Sequence, residues 1–243
     1  MSDRKMPSMP GTGKNLARKK RKKHRPVSFS ALEIGDLQMV RMLREGNPDI
    51  AHDRDLNGMT LLRTAVFRGA RKFVDLLLEV DVELDAFEAA VLGETGRLEE
   101  LLESGEAKPT DEGPEGYGLL HLCAMFGKQE TAELLLDRGA PIDVMASHPL
   151  KVRPVHSAAA GRQYALVAWF LDRGADLHGP QAGDWTLLHH AAQQGDLAFA
   201  EDLLARGAKA DVKNAKGQSP LDVARGLGHA EVADRLEAAA KQS

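Results

Sequence analysis

The chain has 243 residues, 43% of them apolar, and a net charge of −4, enough length and apolar content to bury a core as one extended domain or two compact ones. No stretch approaches the ~18 consecutive apolar residues of a membrane span and the start lacks the apolar segment of a secretory signal, so the chain is expected in the cytoplasm, or in the nucleus of a host that has one. The single cysteine, Cys123, excludes an internal disulfide, and no Cys-ligated metal site is implied.

The first element is a basic arm. Residues 1–27 hold ten Lys/Arg and one acid, leaving 22 basic and 35 acidic residues for positions 28–243, so an arm of +9 is joined to a body of −13. Rich in Pro, Gly, Ser and Lys, the arm has too little apolar surface to offset the entropy of ordering and is expected to be disordered alone. Within residues 14–25, Arg18, Lys19, Lys20, Arg21, Lys22, Lys23 and Arg25 are the candidate polyanion-binding residues. Such a run meets nucleic-acid phosphates, anionic lipid headgroups or an acidic protein such as a nuclear import receptor, and it also occurs as a solvated tail or folded back on an acidic body. No aromatic is interleaved to stack on bases, so contact with nucleic acid would run through charge. Gly11-Thr12-Gly13-Lys14 lacks the preceding strand and the spacing of a phosphate-cradling loop and reads as a linker.

From residue 28 onward the chain repeats itself. One unit starts at Phe29 and passes Gly35 ahead of Leu43; a second reads Thr60-Leu61-Leu62-Arg63-Thr64-Ala65 with Gly69; a third reads Phe87-Glu88-Ala89-Ala90-Val91-Leu92-Gly93 ahead of Leu101-Leu102. Clearer copies follow at Leu120-His121-Leu122-Cys123-Ala124, Val155-His156-Ser157-Ala158-Ala159 and Leu188-His189-His190-Ala191-Ala192, spaced 35 and 33 apart. Each leads into a leucine-rich stretch ending in Gly-Ala, at Gly139-Ala140, Gly174-Ala175 and Gly207-Ala208, and a seventh unit reads Ser219-Pro220-Leu221-Asp222-Val223-Ala224 with Gly228. This pattern resembles the ankyrin repeat, a unit of about 33 residues made of a β-turn finger and two antiparallel helices. The resemblance covers about residues 28–239 and implies an all-α solenoid of helix-turn-helix units with β-turn fingers, regular from about residue 114.

Individual residues fit that unit. Thr60, Thr186 and Ser219 stand where a hydroxyl caps the first helix, paired alanines let the helices approach, and Gly69, Gly127, Gly195 and Gly228 end the first helix. Departures mark an irregular N-terminal half. The histidine is lost in the second and seventh units, and phenylalanine (Phe29, Phe87) is expected at its position in the first and third. Asp81 replaces the glycine that would end the second unit, and Arg162 takes the inter-helix glycine position of the fifth. Only 24 residues separate Gly69 from Gly93, so the third unit is expected to lack its finger and to leave a gap or kink in the row.

Catalytic chemistry finds no foothold. His121, His156 and His189 are implied by the resemblance to hydrogen-bond the next finger's backbone, and no Cys or carboxylate stands at ligand spacing beside them. Cys123 takes a small buried position between helices. There is no nucleophile elbow, no cofactor motif and, by the resemblance, no concave pocket for a small substrate, so a non-enzymatic monomer acting as a protein-binding scaffold or inhibitor is expected. The resemblance directs two sets of side chains into the concave groove: Met59, Tyr117, Val152, Trp185 and Gln218, which precede the capping positions, and Phe67, Met125, Phe126, Gln193 and Gln194 on the first helices. Tyr117, Phe126 and Trp185 are its expected anchors. Exposure of Trp169, on a second helix, is left open.

Overall fold

The computed structural model describes residues 25–241. These form seven antiparallel helix pairs: α1 (Val27–Ile34) with α2 (Leu37–Gly46), α3 (Leu61–Phe67) with α4 (Arg71–Leu77), α5 (Ala86–Leu92) with α6 (Thr95–Ser104), α7 (Leu119–Met125) with α8 (Gln129–Asp137), α9 (Pro154–Ala160) with α10 (Tyr164–Asp172), α11 (Leu187–Gln194) with α12 (Leu197–Ala205), and α13 (Pro220–Leu227) with α14 (Ala230–Ala240). A short 3₁₀ turn covers Pro48–His52. Residues 1–24, and with them the run Arg18 to Lys23, lie outside the described residues.

Short helices of this kind are marginal alone and gain their stability from stacking. The first helices are too short to bury a face except against their neighbours, so their small residues face both ways: Ala89, Ala90, Cys123, Ala124, Ala158, Ala159, Ala191 and Ala192 are buried. The second helices contribute Leu98, Leu135, Phe170 and Leu203, also buried. Two of the three expected hydroxyl caps are in place, Thr60 accepting from the Arg63 N–H and Ser219 from the Asp222 N–H at 3.2 Å each, whereas the Thr186 hydroxyl meets His189 Nδ1 at 2.8 Å instead. Arg162 adopts the left-handed φ of +57° that its glycine counterparts adopt.

Five fingers connect the pairs, numbered second, fourth, fifth, sixth and seventh after the unit each leads into, and each is closed by one backbone bond of the same kind: Asp55 N–H to Met59 O, Gly113 to Tyr117, Ala146 to Val152, Gln181 to Trp185 and Asn214 to Gln218. From the fourth unit onward, neighbouring fingers are also bonded to one another. The His148 N–H donates to Gly116 O (3.0 Å), the Ala182 N–H to Leu150 O (2.8 Å) and the Ala215 N–H to Gly183 O (2.8 Å). Gly116 needs to be glycine twice over, since its φ is +81° and a Cβ would stand 2.6 Å from the His148 nitrogen.

The third unit is where expectation and structure differ. It lacks a finger, as the spacing implies, yet no gap results. A Cβ on Gly58 of the second finger would stand 3.6 Å from the Pro114 ring of the fourth, and the buried Arg63 reaches Glu115 at 3.2 Å while its guanidinium lies 5.0 Å from the Phe87 ring centre. At the opposite end of the helices the first helix is one residue shorter between its cap, Asp85, and Gly93 than its counterparts, and Phe67 meets Phe126 edge-on over it at 5.1 Å. The second and fourth units therefore touch around a truncated third. Proline has no N–H to give, and among the described residues no backbone hydrogen bond joins those two fingers. The buried apolar side chains divide at the same place, into one cluster from Phe29 to Leu77 and one from Ala86 to Leu236, with Leu92 packed against both.

The histidine position of the third unit belongs to Glu88, which corrects the expected Phe87. Asp85 caps α5, and the Glu88 carboxylate, three residues on, accepts from the Asp85 N–H at 3.0 Å in a reciprocal capping box. Glu88 is fully buried, and desolvation raises its pKa above the ordinary carboxylate range.

On the outer face, Arg138 pairs with Glu99 (2.6 Å), Arg173 with Glu133 (2.7 Å) and Arg206 with Asp172 (2.6 Å). Each arginine thus reaches back to the second helix of the preceding pair. Exposed pairs contribute about 0–1 kcal/mol apiece. Trp169 sits on this face, half-buried under the Arg173 guanidinium at 3.9 Å.

Candidate partner-binding groove

The groove is bounded by the fingers and the first helices. Residues just before each cap stand at equivalent places because each finger turns through a left-handed residue immediately before them: Gly58, Gly116, Lys151, Asp184 and Gly217 all have positive φ. The histidines then fix the fingers. His121 Nδ1 accepts from the Gly118 N–H (3.3 Å) and its Nε2 meets Val152 O (3.1 Å); His189 Nδ1 accepts from the Thr186 N–H (3.2 Å) and its Nε2 meets Gln218 O (3.0 Å). Each imidazole ties a helix cap to the following finger. Burial holds the pKa of both rings below the ordinary value, which keeps one nitrogen free to accept.

His156 departs from this arrangement. It is completely buried, but neither ring nitrogen has a hydrogen-bond partner, and its ring centre lies 6.1 Å from that of His190. Desolvation first, then the neighbouring His190, pushes its pKa down to about 3; burial lowers that of His190 to about 4.

The aromatic residues are braced. Tyr117 stacks on His148 with ring centres 4.6 Å apart, and Trp185 lies against His189 at 5.0 Å and edge-on to His190 at 6.2 Å. Both remain half-exposed, as do Met59 and Met125, while Gln193 and Gln218 are exposed. Between the sixth and seventh fingers opens a hollow of about 410 Å³, lined by Leu150, Trp185, Ala182, Ala215, His190 and Gln193 among others. The repeat pattern gave no notice of such a hollow. Its one sequence signal is Leu150, an apolar residue where the second, fourth and seventh fingers carry Asn57, Glu115 and Lys216.

Other expected groove residues are placed differently. Val152 is only 5% exposed: the fifth finger, closed from Ala146, six residues before Val152 where the other fingers close over four, folds over it, and its carbonyl is taken by His121. The Gln194 amide is engaged by the preceding pair, accepting from the Tyr164 hydroxyl (2.6 Å) and donating to Ala159 O (2.9 Å). Phe126 and Phe67 pack on each other over the shortened third unit. Phe126 lines a hollow there with Val66, Gly69 and Leu92, away from the fingers. Arg25 is pinned to α1, its guanidinium 2.6 Å from Glu33 and over the Phe29 ring.

The caps and finger closures recur in phase from unit to unit, with histidine ties in the fourth and sixth, and the sequence matches family models accordingly: an ankyrin-repeat model over residues 115–147 and a three-copy ankyrin-repeat model over residues 155–241. This chain is an ankyrin-repeat protein. Ankyrin repeats generally mediate protein–protein interaction and are generally non-catalytic. The chain is similar to the ankyrin repeat and KH domain-containing protein mask of Drosophila melanogaster, 40% identical over 105 residues (42% of this chain, 2% of the relative). A homologue of transient receptor potential cation channel subfamily A member 1 from Caenorhabditis elegans is 26% identical over 228 residues, 88% of this chain and 18% of the relative. Ankyrin repeat domain-containing protein 37 of Bos taurus is 34% identical over 102 residues, covering 42% of this chain and 64% of the relative. In each case the matched stretch is less than two thirds of the relative's length.

Among the described residues of this ankyrin-repeat protein, no helix is long and apolar enough to cross a membrane and no three His, Cys, Asp or Glu side chains gather as metal ligands. Cys123 is buried, its thiol directed at Ala90 O, and burial drives its pKa upward, away from nucleophilic reactivity.

Proposed function

We propose that this ankyrin-repeat protein is a binding scaffold or inhibitor that engages a protein partner in the concave groove between the fourth and seventh fingers. The observation that carries this reading is the bonded row of fingers from Gly116 to Ala215, which holds the half-exposed Tyr117 and Trp185 on a rigid frame. Aromatic side chains ordered before binding supply area at little entropic cost and are the usual energetic anchors of an interface. The test is cross-linking mass spectrometry of the full chain with partners recovered from its own cells, repeated with Tyr117→Ala and Trp185→Ala. Loss of the specific cross-links with an unchanged melting temperature supports the groove; retained binding in both variants places the interface elsewhere.

The +9 charge of residues 1–27 favours a second contact, with a polyanion, made by the arm in the cytoplasm or nucleus. If about six phosphates are neutralised, log affinity for duplex DNA falls against log salt with a slope near about −5. Equal affinity after removal of residues 1–27 would exclude the arm.

A further inference from the structure

We propose that the hollow between the sixth and seventh fingers is a socket for one large apolar side chain of a partner segment, with a carboxylate beside it on the same segment. This rests on the concave-groove reading and specifies what the partner must carry there. The walls are apolar and already in place. Leu150 is 48% exposed with nothing over it, and Trp185 is fixed against two histidine rings. The floor is His190, held by Gln181 at 3.3 Å. A hollow of about 410 Å³ lies within the size range of pockets that hold small apolar groups. It is open to solvent rather than enclosed, as an inserted side chain on a continuing chain requires. Gln193 leaves an exposed amide at the edge, able to pair with the partner's backbone.

The charge at the mouth selects the neighbouring residue. Lys216 is the one ionised side chain lining the hollow, and Lys151 follows Leu150 directly. Neither ammonium has an ion-pair partner among the described residues, in contrast to the arginines of the outer face. Lys151 also holds a left-handed backbone (φ +47°), where the corresponding residues of the second, fourth and seventh fingers are glycine. A lysine kept in a conformation that glycine adopts freely points to a use for its side chain. The surrounding body is acidic and repels a carboxylate elsewhere, whereas at the mouth these two lysines outnumber the exposed Asp184 of the sixth finger and leave it a local exception.

The experiment selects short randomised peptides displayed on phage against the full chain, then measures the enriched peptide by fluorescence anisotropy. The expected consensus is one Phe, Trp, Leu or Met adjacent to Asp or Glu. Trp185→Ala and Leu150→Ser should each weaken its binding by about tenfold or more. Lys216→Glu should weaken it similarly, and replacing the peptide's acid by lysine should restore binding to that variant. Leu150 is exposed, so its variant keeps the fold if the tryptophan variant does not. Absence of any consensus, a consensus without an acid, or binding indifferent to Leu150→Ser and Lys216→Glu overturns the socket. If binding is instead lost in Tyr117→Ala, the socket fails and the groove reading stands; if it survives every finger variant, both fail.

Discussion

His156 separates the structural from the vestigial use of the repeat histidine. His189 satisfies the Thr186 N–H and the Gln218 carbonyl, so His189→Leu leaves both groups unpaired and should destabilise by about 1–3 kcal/mol. His156 satisfies nothing, and its two bare nitrogens already cost free energy. His156→Leu should be neutral or stabilising in a urea melt at pH 7; a loss matching that of His189→Leu would show that its nitrogens do have partners. The same ring should respond to acid. Folded His156 titrates at about 3 and His190 at about 4, against about 6.5 in an unfolded chain. As pH falls from about 6.5 towards about 3, the unfolded chain takes up protons that the folded one refuses, so stability, complete above that window, declines through it. His156→Leu should flatten the slope of melting temperature against pH.

At the scale of the element, the fingers are coupled by closeness. Gly139 has a φ of +92° with open space at its Cβ position, so Gly139→Ala should cost only the left-handed penalty, about 1–2 kcal/mol. Gly116→Ala adds a clash with the His148 backbone and should cost clearly more by urea denaturation. Equal losses would mean that the fourth and fifth fingers do not support each other. Most of the helices, caps and finger positions were legible in sequence, because Thr60, Ser219 and the Gly-Ala endings act locally. The hollow was not: its walls come from three fingers, and residue spacing does not say that Leu150 would arrive beside Trp185. Val152 and Phe126 were misplaced for the same reason, since a longer fifth finger and a shorter third unit changed their surroundings from a distance in sequence.

At the scale of the whole molecule, the solenoid has a seam between its second and third pairs, where the core divides and Pro114 withholds a finger bond. Repeat proteins unfold according to the strength of their internal interfaces. Hydrogen exchange should therefore show amides of α1–α4 opening at a lower free energy than those of α7–α12, as a separate cooperative unit. Uniform protection across the seam would show that Leu92, the Phe67–Phe126 contact and the Arg63–Glu115 pair suffice to weld it. That ion pair also sets an order of events during synthesis. Arg63 leaves the ribosome 52 residues ahead of Glu115, an interval on the order of a few seconds at usual elongation rates. Until the fourth finger emerges, burying the guanidinium would leave a charge without its counter-ion, so the first two pairs have reason to wait half-folded for the unit that completes them. A nascent chain arrested before Glu115 emerges should therefore show α3 and α4 less protected from exchange than they are in the finished protein.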